Sequence, residues 1–278
     1  MTVSVDDVIA AIGKLPDKSS SADPLPVPVL KSVAGELAPL LTQLFNRSLV
    51  SGCFPLSFKD AFITPILKKP SLDAADVRSY RPISNLSVVS KLLERAVARQ
   101  LVDYLRSSNL LPPYQSGFRA GHSTETAVLR VLSDLLLAVD SGVYAALVLL
   151  DLSAAFDTVD HAILLKRLQT SFGLNGPVLN WFRSYLSDRS QHVRRGASRS
   201  LSSQLKCGVP QGSVLGPILF ILYIADLSGL VERHDRRERE EIRTREQCER
   251  RRIERKVARE LRRDDGVDGP EQIRQQIT

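Results

Sequence analysis

Residues 147–160 have the sequence Leu147-Val-Leu-Leu-Asp151-Leu-Ser-Ala-Ala-Phe156-Asp157-Thr-Val-Asp160. They include the end of a short apolar run, Val143–Leu150, which is partly β-branched. Such a run predicts a strand buried on both faces that ends at the Asp151 carboxylate. A strand end holds a metal ligand rigidly, and Mg²⁺ prefers carboxylate oxygens. An acid in this position more often merely ends the strand and caps the next turn, so this stretch alone does not identify a metal site.

A second motif, Gly208-Val-Pro210-Gln211-Gly212-Ser213-Val-Leu-Gly216-Pro217, is a turn rich in glycine and proline that precedes an apolar segment. Glycine allows the backbone to approach a bound substrate closely. The amide of Gln211 offers a donor and an acceptor to a sugar or base. An ordinary structured turn explains the segment equally well.

Two basic motifs lie upstream, Phe62-Ile-Thr-Pro-Ile-Leu-Lys68-Lys69 and Tyr80-Arg81-Pro82-Ile83-Ser84. Arginine binds phosphate as a fork and lysine binds it as a point charge, although surface charge is the commoner role of a lysine pair. A polar loop over residues 114–124 opens a further helix. We expect His122 in this loop to be a loop or capping residue, because no nucleophile or acid is placed beside it.

Apolar spacing and capping residues predict the remaining elements. The apolar side chains within 29–50 are expected on one helix face, namely Leu37, Leu40, Leu41, Leu44 and Phe45. A strand over Phe62–Leu67 contains a proline, which suits an edge or bent strand. Residues 18–28 form a predicted loop, and Gln191–Arg195 and Ser203–Cys207 are the predicted arms of a hairpin. Helices are predicted after Ser4 and over Val29–Val50, Ser90–Arg106, Ser123 to about Val139, His161–Phe172, Pro177–Leu186 and Pro217–Leu227.

The composition allows one large domain or two small ones, with 278 residues of which 43% are hydrophobic. A net charge of +7 and a pI near 9.5 favour a polyanionic partner, although charge alone is a weak signal. The three cysteines form no Cys-x-x-Cys pair, which disfavours a disulfide framework or a zinc site. No apolar run is long enough to span a bilayer. We therefore expect an intracellular protein, cytoplasmic or nuclear, without a membrane partner.

The amino-acid composition of the chain changes near Val231. Residues 231–263 contain 14 Arg or Lys and 9 Asp or Glu in 33 residues, with few apolar side chains. This predicts either a solvated helix held by ion pairs or a disordered segment. Residues 1–230 carry 23 basic and 18 acidic groups, so the positive charge is not confined to this segment.

Each motif is weak alone, but their order is not easily obtained by chance. The series Phe62–Lys69, Arg81–Ser84, Gln115–Thr124, Asp151–Asp160 and Gly208–Pro217 resembles the fingers and palm of non-LTR (LINE-type) retrotransposon reverse transcriptases. The resemblance covers roughly residues 1–232, including Asp23-Pro24-Leu-Pro26 and Phe45-Asn46-Arg-Ser48.

The resemblance implies an α+β fold similar to a right hand, with fingers and a partial palm but no thumb. On this basis we expect an N-terminal helical extension over 1–60, a fingers-like region over 61–142 and a partial palm over 143–230. An Arg/Glu-rich tail, helical or disordered, would follow over 231–278.

The resemblance also implies a function, RNA-directed DNA polymerase activity that depends on Mg²⁺. Asp151 matches the first metal-binding aspartate of the family, and the carbonyl of Leu152 would be a further ligand. Phe156 matches the aromatic gate that excludes a ribose 2′-hydroxyl. Asp157 and Asp160 look structural.

The substrates implied by the resemblance are an RNA template, a DNA primer and deoxynucleotides. Gln211 matches the glutamine that lies against the incoming nucleotide. Lys68 and Arg81 match the region of the fingers that contacts phosphates or template.

The sequence departs from the family in one respect. The family carries a second acidic motif, an aromatic-Ala-Asp-Asp hairpin, shortly after the Pro-Gln-Gly turn. The paired acids Asp264-Asp265 lie 53 residues after Gln211 and follow Arg262-Arg263 rather than an apolar strand. We therefore expect a truncated or spliced copy with little or no polymerase activity, which exposes a sheet edge and apolar surface.

Three other hypotheses for the function stay open. In the first, the chain is a non-catalytic RNA-binding remnant. In the second, it is an interaction protein in which residues 231–263 pair with a partner helix, and in the third it is a product without a selected role.

Overall fold

The computed structural model describes residues 2–17, 25–112, 115–117, 119–142, 144–149, 151–152, 155–195, 198–227 and 229. Residues up to Ala225 form one compact unit. Its helices are α1 Val5–Gly13, α2 Val27–Ser32, α3 Ala34–Ser51, α4 Val88–Ser107, α5 Thr124–Asp140, α6 His161–Thr170, α7 Gly176–Leu186 and α8 Gly216–Ile224. Its strands are β1 Asp60–Leu67, β2 Tyr80–Asn85, β3 Ser190–Arg195, β4 Ser198–Arg199 and β5 Ser203–Gln204.

Helix α1 begins at a reciprocal cap, as its sequence predicts. The Ser4 hydroxyl accepts from the Asp7 N–H at 3.1 Å, and the Asp7 carboxylate accepts from the Ser4 N–H at 3.0 Å. Val8 and Ile12 are buried against the rest of the helical core. The Asn46 side chain both accepts from and donates to the Val3 backbone, which fixes α1 beside α3.

An aromatic cluster joins α3 to α7. The Trp181 ring stacks on Tyr185 with centroids 5.6 Å apart, and Phe54 meets both rings edge-on. The Trp181 indole N–H donates to the buried Ser48 hydroxyl at 3.0 Å. The predicted helices corresponding to α4, α5, α6, α7 and α8 are all present within about two residues at most ends.

The strands form a mixed sheet of order β2-β1-β3-β4, with β5 also paired to β3. Strand β1 runs antiparallel to β2 over Phe62–Leu67 and parallel to β3 over Asp60–Ile63. Pro65 lies past the end of the β3 pairing, so its missing N–H breaks no bond on that side. The predicted hairpin is confirmed, because β3 pairs antiparallel with β5.

The single helix predicted over Val29–Val50 is wrong. Helix α2 ends at Ser32 and α3 starts at Ala34, because Val33 leaves helical geometry and the Ser32 hydroxyl bonds to the Val29 carbonyl. The predicted face is also partly wrong. Phe45 is buried, whereas Leu40 is 62% exposed, since the buried residues of α3 recur at three- and four-residue spacings that exclude it.

The buried strand predicted over Val143–Leu150 is wrong as well. Residues 144–149 have no regular structure, and Leu149 is 84% exposed. A strand apolar on both faces needs a hydrogen-bonding neighbour and cover, and none of the described strands pairs with this segment. Val143, Leu150, residues 18–24 and the charged segment 231–263 lie outside the described residues. The predicted boundaries at 60, 142 and 230 stay predictions.

Candidate functional site

Two loops that the sequence analysis singled out meet in the structure. The Val209 N–H donates to the Phe156 carbonyl at 2.8 Å, and the Gly208 N–H donates to the carbonyl of buried Val159 at 2.8 Å. The His161 ring nitrogen Nε2 lies 2.7 Å from the Gly208 carbonyl oxygen. These bonds hold the loop that follows Asp151 against the Pro-Gln-Gly turn.

The same turn is bonded to the sheet on its other side. The Ser84 N–H on β2 donates to the Gln211 carbonyl at 2.7 Å. Gly212 has a φ of +115°, and a Cβ at this position would lie 2.7 Å from the Ser84 carbonyl oxygen. Only glycine fits between the turn and the strand.

A cavity of about 400 Å³ lies between the turn and the sheet, and we call it the Gln211 groove. Partial burial there raises the pKa of the Asp157 carboxyl, although the residue remains exposed on one side. The polar residues among its lining are three glutamines, one serine, one cysteine, one lysine and one aspartate. The lining includes Ile63, Pro82 and Ser84 from β1 and β2, Gln191 and Gln204 from β3 and β5, Gly208–Gln211 from the turn, and Asp157, Lys206 and Cys207.

A buried carboxylate supports the turn from behind. Glu94 on α4 accepts from the N–H groups of Val214 and Leu215, at 2.8 and 3.2 Å, just after the turn. The hydroxyl of Tyr185 donates to the same carboxylate at 3.4 Å. Burial raises the pKa of Glu94, while the two N–H donors and the charge of Arg189 act in the opposite direction.

Arg189 completes this buried cluster. Its side chain is 2% exposed, donates from Nη1 to the Tyr185 carbonyl at 3.0 Å and lies 4.9 Å from the Tyr185 ring centroid. Its Nη2 has no hydrogen-bond partner among the described residues. Glu94 was not among the predicted site residues, although the sequence carries a signal for it, since Ser90, Glu94 and Val97 follow the buried stripe of α4.

Comparison with known proteins places the chain in a family. Residues 66–243 match the family described as reverse transcriptase (RNA-dependent DNA polymerase). The chain belongs to the reverse transcriptase family.

Several of its relatives are polymerases of mobile elements. The chain is 38% identical over 226 residues to the probable RNA-directed DNA polymerase from transposon BS of Drosophila melanogaster. This match covers 81% of this chain and 25% of the relative. The probable RNA-directed DNA polymerase from transposon X-element of the same species is 37% identical over 71% of this chain and 22% of the relative. The polymerase of its mobile element jockey is 33% identical over 81% of this chain and 24% of the relative. The chain thus spans about a quarter of the length of these relatives, and the prediction of a non-LTR retrotransposon reverse transcriptase domain is confirmed.

Two of the predicted site residues of this reverse transcriptase domain lie together. Gln211 lines the groove, and Phe156 is half-buried, packed on Phe220 of α8 with centroids 5.4 Å apart. The Phe156 backbone is bonded to the same turn that carries Gln211. Their roles as nucleotide contact and steric gate stay predictions.

The other predicted residues are not brought to the groove. Lys68 is exposed and donates from Nζ to the Arg78 carbonyl at 2.8 Å. Arg81 is exposed, and strand alternation puts it on the opposite sheet face from Pro82 and Ser84, which line the groove. His122 is an exposed loop residue whose ring lies beside the Ala120 carbonyl.

Asp151 and Leu152 are both exposed and lie outside any helix or strand. In the described part of the reverse transcriptase chain, no three His, Cys, Asp or Glu side chains cluster in a way that could hold a metal ion. A Mg²⁺ site needs carboxylates held together in near-octahedral geometry. The described residues therefore do not complete a magnesium site at Asp151. None of the described helices is both long and apolar enough to cross a bilayer.

Proposed function

We propose that this chain is the fingers and part of the palm of an RNA-directed DNA polymerase and that it binds nucleic acid. We propose further that a polypeptide of these 278 residues does not itself transfer nucleotides. The assembly of the Gln211 groove from the Phe156–Asp157 loop, the Pro-Gln-Gly turn and the sheet supports binding. The whole protein would use an RNA template, a DNA primer and deoxynucleotides in an intracellular compartment, cytoplasmic or nuclear.

The chemistry of the groove suits a nucleotide. The ammonium group of Lys206 would contact a phosphate, and the amides of Gln191 and Gln211 offer donors and acceptors to sugar and base edges. The fixed backbone of the turn, closed by Ser84 and Gly212, limits the shape of the ligand. Phe156 would act beside this groove as the gate against a 2′-hydroxyl.

Mg²⁺ is the metal expected for the family, with the Asp151 carboxylate and the Leu152 carbonyl as its ligands. The exposed position of Asp151, without clustered acids among the described residues, does not fit a metal pair. These 278 residues also lack the aromatic-Ala-Asp-Asp motif. These two observations support the absence of nucleotidyl transfer in this polypeptide.

Primer extension combined with RNA binding tests the proposal. The purified chain would be mixed with RNA template, annealed DNA primer, deoxynucleotides and Mg²⁺, with Asp151→Ala as the control. We expect no incorporation, while a fluorescent single-stranded RNA still binds with an affinity that falls as salt rises. Incorporation that disappears in Asp151→Ala would overturn the inactivity, and an absence of RNA binding would overturn the nucleic-acid function.

A further inference from the structure

The sheet has two faces of different chemistry. The strand registers and the alternation of side chains put Ile63, Ser84 and Gln191 on the face of the Gln211 groove. The opposite face, which we call the arginine face, carries Phe62, Arg81, His192, Arg194 and Arg199.

Arg194 and Arg199 lie directly opposite each other in the antiparallel pair of β3 and β4. Side chains in this relation have Cβ atoms about 5 Å apart, and like charges there destabilise the sheet. Both residues are exposed, and within the described residues neither takes part in a salt bridge. Residues 189–225 contain five Arg or Lys and no Asp or Glu, so this stretch offers no acid of its own to neutralise the pair.

Neighbouring rings hold both guanidinium groups in place. The Arg194 guanidinium lies 5.7 Å from the centroid of the Phe62 ring, and Nη2 of Arg199 lies 3.4 Å from Nδ1 of His192. The Phe62 and His192 rings are themselves 5.9 Å apart, and His192 is buried. Guanidinium groups that are held before binding lose less side-chain entropy when a ligand arrives.

Among the described strand residues, one carboxylate lies on this face. Asp60 accepts from the Ser190 hydroxyl at 2.7 Å and lies 3.8 Å from Nδ1 of His192. The single negative charge of Asp60 does not neutralise the arginine face, because three exposed arginines lie there, namely Arg81, Arg194 and Arg199.

We propose that Arg194 and Arg199 form a clamp for the phosphodiester backbone of single-stranded nucleic acid, on the sheet face opposite to the Gln211 groove. A phosphate between the two forks supplies the acceptor oxygens that guanidinium binds in pairs, and it removes the repulsion between the two charges. Arg81 on β2 extends the positive surface across β1. The inference rests on the proposed nucleic-acid function and adds a surface separate from the groove.

The test is a salt series of anisotropy titrations with the full chain and a short fluorescein-labelled RNA. The double variant Arg194→Gln/Arg199→Gln is compared with Arg47→Gln/Arg106→Gln, which removes two exposed charges from α3 and α4. For the clamp variant we expect the negative slope of log K against log salt to become shallower by about 1.4, as two lost phosphate contacts on a single strand predict. The control variant should keep the wild-type slope.

A second measurement separates lost binding from lost folding. The clamp variant removes both charges of a like-charge pair and so relieves their repulsion, which should leave the melting temperature unchanged or raise it. A clamp variant that melts earlier than wild type and binds weakly would contradict the inference.

The remaining outcomes each decide the question. DNA of the same sequence should lose affinity in parallel with RNA, since the clamp contacts phosphates, and a loss confined to RNA would contradict it by pointing to the 2′-hydroxyl. Polyglutamate that competes as well as RNA at equal charge would also contradict it. Wild-type slopes in both double variants would overturn the clamp alone, whereas an absence of RNA binding by the wild-type chain would overturn the proposed function with it.

Discussion

The Glu94 carboxylate accepts a hydrogen bond from the Val214 N–H at 2.8 Å, which ties the middle of α4 to the residues that follow the Pro-Gln-Gly turn. Glu94→Ala should lower the free energy of unfolding by about 3 kcal/mol, because it leaves buried donors without a partner. Glu94→Gln keeps an acceptor and should cost about 1 kcal/mol. Urea denaturation followed by the fluorescence of Trp181, the single tryptophan, measures both values. Equal losses in the two variants would contradict this role.

Glu94 should also make the stability of the folded protein depend on pH. Burial raises the pKa of Glu94 above its ordinary value of 4.5, so the folded state binds this proton more tightly than the unfolded state. The associated stability is fully present below 4.5 and is lost as pH rises through the folded-state pKa. Glu94→Gln does not titrate, so its melting temperature relative to wild type should rise between acidic and neutral pH. A constant difference across that range would show that Glu94 does not titrate there.

Glycine at position 212 should be required for the turn. Gly212→Ala places a Cβ 2.7 Å from the Ser84 carbonyl oxygen at a φ of +115°. We expect it to destabilise the protein by about 1–3 kcal/mol and to weaken nucleotide binding in the groove. Gly35→Ala is the matched control, since Gly35 lies within α3 with open space around its Cβ position. It should stabilise the protein by about 0.5–1 kcal/mol, because alanine favours a helix.

The elements predicted well are those whose signals lie within one segment. The Ser4–Asp7 box and the Ser123 cap predicted where α1 and α5 begin, because a cap needs only neighbouring residues. The parallel pairing of β1 and β3 joins Asp60 to Ser190, which are 130 residues apart, and no local pattern encodes it. The strand predicted over 143–150 is wrong for a related reason. An apolar run shows which side chains a strand would bury, but it does not show whether a neighbouring strand is there to pair with it.

The site was only partly predictable. The family motifs singled out Phe156 and Gln211, and the structure bonds the loops that carry them to each other, while their roles stay predictions. Glu94 was missed because it lies between Lys91 and Arg95. This pattern predicts that all charged side chains of the helix face water. The face to which Arg81 points depends on strand register, which the motif around it does not contain.

Asp7 should make the N-terminal helix sensitive to acid. Its hydrogen bonds with Ser4 and Arg99 lower its pKa to about 2. A carboxyl with a depressed pKa stabilises the folded state above its ordinary value of 3.8, and this stability is lost as pH falls towards about 2. Asp7→Asn should remove that part of the acid dependence, measured by thermal melts between neutral and acidic pH. Asp6→Asn, which changes the neighbouring acid, is the control and should leave the acid dependence unchanged.

Helix α5 exposes an apolar surface that should control self-association. None of its residues is buried, and Leu129 and Leu136 are 63% and 55% exposed. Exposed apolar patches of this kind promote association in water. We expect the average mass of the wild-type chain to rise with concentration in sedimentation velocity, and Leu129→Glu/Leu136→Glu to suppress the rise without lowering the melting temperature, because neither side chain packs in the core.

A charge-matched control separates this surface from a general effect of added acids. Val50→Glu/Leu56→Glu places two carboxylates at positions that are 70% and 73% exposed and lie outside α5. This variant should associate as the wild type does. Equal suppression by both double variants would show that added negative charge, rather than the α5 surface, prevents association, and a wild-type chain that stays monomeric at all concentrations would contradict the prediction directly.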